Sequence, residues 1–264
     1  MEADRLKIAL LPYDIAWADI AENLMNVSHL LDRVDRDTDI VVLPEMFSTG
    51  FITEPTLLCS IDAATTRHTI ETIHHWAAKH RMAISGTIVA AARLSYYNRA
   101  FFIEPSGDET YYDKRHLFSV GGEARTFTPG QHHCPIIRYR GANIMMSVCY
   151  DVRFPVWNRN TDYKYDILLI PANWPDARIF AWRQLLIARA IENQAYVMGC
   201  NRTGRDDFGT YSDGHTFALN DWGDNINQPC PKTGIIYATV ELDKLRRHRE
   251  KFPIYRDADT FRLT

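Results

Sequence analysis

Residues 40–45 read Ile-Val-Val-Leu-Pro-Glu, an apolar run that ends in proline and then in a carboxylate. The β-branched residues and leucine over 39–43 are typical of a strand buried on both faces of a sheet. Another apolar strand is predicted over residues 7–11. A helix is predicted between them, over 16–34, because apolar residues recur every four and three positions at Ile20, Leu24, Val27, Leu31 and Val34. This order predicts a β-α-β unit with parallel strands, and therefore an α/β fold.

The second half of the chain shows the same order of elements. Residues 167–173 read Ile-Leu-Leu-Ile-Pro-Ala-Asn, and a helix over 176–193 and a strand over 195–200 are predicted to follow. No low-complexity segment or linker divides the chain, so we expect one domain over residues 1–264. The other predicted elements are a helix over 62–80, strands over 82–91, 98–104, 110–113, 136–139, 143–149, 214–219 and 234–242, and a short helix over 244–250.

The composition argues against several classes of protein. Apolar residues make up 46% of the chain and charged residues 24%, the net charge is −3, and no basic stripe stands out. We therefore expect neither nucleic acid nor membrane as a partner. Residues 1–4 are acidic where a signal peptide would be basic, and the apolar run 167–172 is too short to cross a bilayer, which favours a cytoplasmic protein. The five cysteines lack zinc-like spacing, so we expect reduced thiols and no metal site.

Polar residues stand at the carboxyl ends of three of the predicted strands. Cys149 comes after the apolar run 144–148, where the sheet would fix its side chain and the next backbone N–H, that of Tyr150, could bind an oxyanion. A cysteine in an apolar strand is, however, usually a buried and unreactive thiol. Glu45 and Asn173 follow the two strands that end in proline. Ligands of α/β proteins bind at such carboxyl ends.

The role of Glu45 or of Lys114 cannot be decided from each residue alone. A carboxylate after an apolar strand is costly to bury without a partner, and Glu45 could equally be a general base or a solvated or salt-bridged loop residue. Lys114 and Arg115 stand among aromatic residues, a pattern more typical of a solvated edge. A lysine held near a thiolate would instead lower the pKa of the cysteine and neutralise a tetrahedral oxyanion.

The residues around these three side chains give a stronger signal. Residues 44–47 (Pro-Glu-Met-Phe), 112–118 (Tyr-Asp-Lys-Arg-His-Leu-Phe) and 149–155 (Cys-Tyr-Asp-Val-Arg-Phe-Pro) resemble, in this order, the three signature segments of the nitrilase (carbon–nitrogen hydrolase) superfamily. Residues 205–211 and 220–232 look less like the family. Within the superfamily the resemblance is strongest to the bacterial ω-amidases. It extends over most of the chain, through residues 121–123, 127–130, 149–158, 171–175, 188–201 and 250–263.

The resemblance implies a four-layer α-β-β-α sandwich, paired into a homodimer or a higher homo-oligomer. It implies Cys149 as nucleophile, Glu45 as general base and Lys114 beside the oxyanion. It also implies that Glu123 is a second carboxylate facing the lysine, although a glutamate after two glycines is usually solvated. The implied reaction needs no cofactor. It hydrolyses the terminal amide of a small dicarboxylic ketoacid monoamide, 2-oxoglutaramate or 2-oxosuccinamate, to the acid and ammonia through a cysteine thioester.

Such a substrate carries a distal carboxylate, so its pocket needs a cation and apolar walls. Arg153 is the candidate carboxylate clamp, although a structural arginine is nearly as good an interpretation. The other candidate substrate-binding residues are Phe51, Phe118, Tyr150, Asn173 and Trp174, of which Trp174 could also be a core residue. Two alternatives remain: another small-amide or carbamoyl amidase of the superfamily, and a catalytically silent nitrilase-like scaffold. Retention of the three catalytic residues argues against the scaffold.

Overall fold

A computed structural model describes residues 4–92, 94–261 and 263. Residues 1–3, which entered the signal-peptide argument, and Arg262, part of the resembling carboxyl-terminal segment, lie outside the described residues. The strands are β1 (Arg5–Leu10), β2 (Ile40–Val42), β3 (Ala83–Ala92), β4 (Ser95–Ile103), β5 (Glu109–Asp113), β6 (Ile137–Tyr139), β7 (Ala142–Met146), β8 (Ile167–Ala172), β9 (Tyr196–Asn201), β10 (Gly204–Asp206), β11 (Gly209–Tyr211), β12 (Phe217–Leu219), β13 (Gln228–Pro229) and β14 (Ile236–Glu241).

The α-helices are α1 (Ile20–Leu31), α2 (Pro55–Leu58), α3 (Ala63–His80), α4 (Glu123–Thr126), α5 (Ile179–Asn193) and α6 (Leu242–Lys251). Short 3-10 helices cover Ser119–Gly121, Cys149–Arg153, Thr161–Tyr163, Asp176–Arg178 and Ile254–Asp257. No helix of the described part of the chain has the length and apolar character needed to cross a membrane.

Two sheets carry the fold. The first has the strand order β13-β14-β1-β2-β3-β4-β5 and the second the order β12-β9-β8-β7-β6, while β10 and β11 form a separate hairpin. In the first sheet β1, β2 and β3 are parallel, with Ile8 opposite Ile40. In the second, β7, β8 and β9 are parallel, with Ile144 opposite Ile167. The two predicted units, β1-α1-β2 and β8-α5-β9, are confirmed.

Alternate residues of the first sheet face two different layers. Ile8 belongs to a buried cluster that also contains Ile144 of the second sheet, so the two sheets pack against each other. Its neighbour Ala9 belongs to another cluster, with Leu24 of α1 and Ile73 of α3. Because successive strand residues point to opposite faces, α1 and α3 cover the face of the first sheet that lies away from the second.

The second sheet is covered on its other face by α5. Cys200 of β9 points to the first sheet, where its thiol donates a hydrogen bond to the Val42 carbonyl (3.2 Å). The neighbouring Gly199 lies so close to α5 that a Cβ there would be 2.6 Å from Leu186 and 2.9 Å from Trp182. Helices therefore enclose two facing sheets, and the predicted α-β-β-α sandwich is confirmed.

Some element bounds differ from those predicted. Helix α1 begins only at Ile20, because the Asp19 carboxylate accepts the Glu22 N–H (2.9 Å) and caps the first turn. The strand predicted over 143–149 ends at Met146. The hairpin β10–β11 and the short helix α4 lie in segments for which the sequence predicted no element.

Candidate active site

The candidate residues meet at one edge of the two facing sheets. Glu45 lies after β2, Cys149 after β7 and Asn173 at the end of β8, which are carboxyl ends of parallel strands. Asn173 links the two sheets, since its backbone N–H donates to Glu45 Oε2 (2.9 Å) and its side-chain amide donates to the Glu45 carbonyl (2.7 Å). Lys114 follows β5, and its backbone N–H donates to the carbonyl of Asn98 on β4 (2.9 Å).

A buried ion cluster lies at this edge. Lys114 Nζ is 2.8 Å from Glu45 Oε1 and 2.9 Å from Glu123 Oε2, and all three side chains are completely buried. Glu123 Oε2 also accepts the backbone N–H of Phe118 (2.6 Å). Glu123 is therefore not solvated, as a glutamate after two glycines ordinarily would be. The structure therefore brings the two predicted carboxylates, Glu45 and Glu123, into contact with the ammonium group of Lys114.

Asn98 completes the cluster, and the sequence reasoning missed it. Its side-chain amide donates to Glu45 Oε1 (2.8 Å) and to Glu123 Oε1 (2.9 Å), so one neutral group contacts both carboxylates. A signal was available in the sequence: Asn98 shares the face of β4 with Ala100 and Phe102, both buried and apolar. A polar residue on an apolar strand face requires a hydrogen-bond partner.

Burial and mutual charge set the protonation of the cluster. Burial by itself lowers the pKa of the Lys114 ammonium, but the Glu123 and Glu45 carboxylates outweigh this effect and hold the pKa above its usual value. Burial raises the pKa of Glu123, and the Lys114 charge partly offsets it. Burial, and then the charge of Glu45, raise the pKa of the Cys149 thiol against the opposing effect of Lys114. The site therefore combines a charged lysine with a neutral thiol, which needs a base to react.

Cys149 opens the turn that follows β7. Its φ of 41° lies in the left-handed region, which costs energy for any residue with a Cβ. The buried Asp151 carboxylate holds this turn, because it accepts the backbone N–H of His116 (2.8 Å) and the hydroxyl of Tyr112 (2.8 Å) from the lysine segment. The backbone N–H of Tyr150 lies in the first turn of the 3-10 helix Cys149–Arg153, where the helix itself offers no acceptor. This donor is therefore available to a substrate oxygen beside Cys149.

A pocket opens onto Cys149 and Lys114. It is lined by all six side chains that the sequence suggested for substrate binding, namely Phe51, Phe118, Tyr150, Arg153, Asn173 and Trp174. Four further residues line it that the sequence did not suggest: Pro175, Arg178, Phe208 and Tyr211. Among the described residues no group of three or more His, Cys, Asp or Glu side chains could hold a metal ion.

Two arginines bring positive charge to the pocket. The Arg153 guanidinium lies over the ring of Trp174, 4.8 Å from its centroid, and Arg178 lies 5.3 Å from the centroid of Phe118. Neither guanidinium is paired with a carboxylate of the residues that the structure describes. The arginines that form ion pairs within the described part of the chain are Arg99, Arg140, Arg189, Arg202, Arg246 and Arg249. Both free charges can therefore attract an anionic group in the pocket.

The hairpin β10–β11 contributes to the wall of the pocket. The buried Arg202 fixes its base, since it donates to Asp206 (2.8 Å) and to Asp14 (2.9 Å). Phe208, between the two strands of the hairpin, packs edge-on against Phe51 with the ring centroids 5.3 Å apart. Local sequence gives no signal for this placement, because it depends on an ion pair between residues far apart in the chain.

Comparison with known proteins agrees with this geometry. Residues 7–250 match the family model of the carbon-nitrogen hydrolases. The chain is 39% identical to the omega-amidase YafV of Yersinia enterocolitica, over 98% of each chain. It is 29% identical to the 2-oxoglutaramate amidase of Bacillus subtilis, over 95% of this chain and 96% of that one.

A solved structure gives the same assignment. A CN-hydrolase superfamily protein of Xanthomonas campestris, with an arsenic adduct in its active site, superposes with a TM-score of 0.91 at 32% identity. The match covers 98% of this chain and 99% of that one. The chain has the α-β-β-α sandwich, it places Glu45, Lys114 and Cys149 together at one edge of the two sheets, and it matches the family model over nearly its whole length. It therefore belongs to the carbon-nitrogen hydrolase family.

Proposed function

We propose that the protein is an ω-amidase. It hydrolyses the terminal amide of a small dicarboxylic ketoacid monoamide, such as 2-oxoglutaramate or 2-oxosuccinamate, to the acid and ammonia. The observation that carries this proposal is the buried Glu45–Lys114–Glu123 cluster beside Cys149, at a pocket that also presents the free guanidinium of Arg153. The similar proteins named omega-amidase and 2-oxoglutaramate amidase support the same activity.

The first half of the reaction forms a thioester. Because the Cys149 thiol is neutral at rest, Glu45 accepts its proton as the sulfur attacks the amide carbonyl carbon. Lys114 and the backbone N–H of Tyr150 stabilise the negative oxygen of the tetrahedral intermediate. The carbon–nitrogen bond then breaks, and the leaving nitrogen takes the proton from Glu45 and departs as ammonia. Glu123 holds the Lys114 ammonium in position throughout.

The second half of the reaction releases the acid. Glu45 is again a carboxylate and removes a proton from a water molecule that attacks the thioester carbonyl. The same two donors stabilise the second tetrahedral oxyanion. When the carbon–sulfur bond breaks, Glu45 returns the proton to Cys149 and the site regains its starting state. No step requires a group beyond this chain, the substrate and water.

The pocket favours a short substrate with an anionic end. The aromatic rings of Phe51, Phe118 and Trp174 provide apolar walls for a short acyl chain. The Arg153 guanidinium pairs with no carboxylate in the described part of the chain, lies over the ring of Trp174 and lines the same pocket as Cys149. A carboxylate at the far end of the acyl chain would pair with it, and Arg178 adds a second positive charge.

Ammonia release tests the proposal on a panel of 2-oxoglutaramate, 2-oxosuccinamate, glutamine, asparagine and simple nitriles. We expect the two ketoacid amides to give the highest kcat/KM. Cys149→Ala should abolish release, while Cys134→Ala, which removes another buried thiol outside the pocket, should retain it. A preference for nitriles or for neutral amides would instead indicate another hydrolase of the family. Full activity of Cys149→Ala would refute the mechanism.

A further inference from the structure

Asn98 stands between the two carboxylates of the site. Its amide nitrogen has two protons, and it directs one to Glu45 Oε1 (2.8 Å) and the other to Glu123 Oε1 (2.9 Å). Its backbone carbonyl accepts the N–H of Lys114 (2.9 Å). The same residue thus holds the backbone at Lys114 and both carboxylates that contact the ammonium. The side chain is almost fully buried, so water cannot replace these hydrogen bonds.

Thr87 on the neighbouring strand fixes which way the Asn98 amide points. The Thr87 hydroxyl accepts the backbone N–H of Met46 (2.7 Å), which leaves its own proton for Asn98 Oδ1 (2.8 Å). The oxygen of the amide therefore faces Thr87, and the nitrogen faces Glu45 and Glu123. A reversed amide would place its oxygen against two carboxylates and leave the Thr87 proton without an acceptor.

The titratable groups around Asn98 carry an unfavourable excess of negative charge. The titratable groups around Asn98 are Glu45 after β2, Lys114 after β5, Glu123 on α4 and Cys149 after β7. Two buried carboxylates face a single ammonium, and like charges at such distances favour binding of a proton by one of them. A general base that already holds a proton cannot accept one from Cys149.

We propose that Asn98 is a positioning residue that keeps Glu45 and Glu123 ionised together, and that Thr87 enforces the orientation in which it does so. The inference rests on the proposed function, since it assumes that Glu45 must be unprotonated for turnover. Asn98 contacts no substrate, because it is not among the residues that line the pocket within the described part of the chain. It acts through the two carboxylates.

The test is the pH profile of kcat/KM for ammonia release by the full-length enzyme. Asn98→Asp keeps the shape but adds a carboxylate to the cluster, so a proton is retained to higher pH. We expect the acid limb of the profile to move up by about one pH unit or more. Thr87→Val removes the orienting hydroxyl and should move the limb in the same direction by a smaller amount. Thr87→Ser keeps the hydroxyl and should leave the limb in place.

The control is Asn225→Asp, at an exposed asparagine whose Oδ1 accepts the backbone N–H of Asn227 and which is not among the described residues that line the pocket. This variant should retain the wild-type profile. If Asn98→Asp and Thr87→Val lower only the melting temperature or kcat, with an unmoved acid limb, Asn98 is merely structural and the inference is overturned. Because Thr87→Val adds no charge, it decides the question even if Asn98→Asp does not fold. Absence of ammonia release from the wild type would refute the proposed function itself, a result distinct from an unmoved limb.

Discussion

Replacement of Glu123 by glutamine tests whether the second carboxylate holds Lys114 in its working position. The Glu123 carboxylate accepts hydrogen bonds from Asn98 (2.9 Å), from Lys114 at both oxygens (3.0 and 2.9 Å) and from the Phe118 N–H (2.6 Å). Glutamine has the same shape but only one oxygen. Whichever way its amide points, its NH₂ group faces two of these donors, and all the groups are buried.

The expected loss of kcat in Glu123→Gln follows from these contacts. Each buried donor left without an acceptor costs about 1–3 kcal/mol, so the two donors that face the glutamine NH₂ group together cost roughly 2–6 kcal/mol. A loss of about 2.7 kcal/mol in transition-state stabilisation corresponds to about a 10²-fold lower kcat. We therefore expect Glu123→Gln to lower kcat by about 10²-fold or more and to lower the melting temperature. KM should change little, because Glu123 does not line the pocket within the described residues.

Steady-state ammonia release and thermal unfolding measure the two effects separately. The matched control is Glu109→Gln, an exposed carboxylate on β5 that contacts His74 and Tyr111 away from the pocket. This variant should keep the wild-type kcat. A Glu123→Gln enzyme that runs at near wild-type kcat would refute the reasoning, and the working set would then be Glu45, Lys114 and Cys149.

Three further predictions concern the clamp, the nucleophile and the assembly. Arg153→Met should raise KM for a ketoacid amide by the equivalent of about 2–4 kcal/mol, far more than for a neutral short amide. The reason is that methionine keeps a side chain against Trp174 but removes the positive charge. Equal increases in KM for both substrates would show that Arg153 is structural. Limited iodoacetamide treatment with peptide mapping should link inactivation to labelling of Cys149 alone, and complete inactivation with Cys149 unlabelled would exclude it as nucleophile. Sedimentation should give a homodimer, since α5 exposes Phe180 and Ile191; a fully active monomer at micromolar concentration would contradict this.

Local sequence determined the β-α-β units and the identity of the central residues. The alternating four- and three-residue spacing between Ile20 and Val34 and the apolar runs before Glu45 and Asn173 depend only on neighbouring residues, which is why they could be interpreted without a structure. The segments around Glu45, Lys114 and Cys149 matched a family in order, so these side chains could be named together. Their contact distances could not be derived in this way.

Only the tertiary structure decided how the site is completed. The hydrogen bond between Asn98 and Glu45 joins residues 53 positions apart, and the one between Asn173 and Glu45 spans 128 positions and two different sheets. The hairpin that brings Phe208 to the pocket is held by Arg202 and the distant Asp14. Such contacts arise when buried polar groups must find partners after the sheets have packed, so no local periodicity encodes them. For the same reason the Cys149 turn, which is held by Asp151 and the lysine segment, could not be placed from the strand that precedes it.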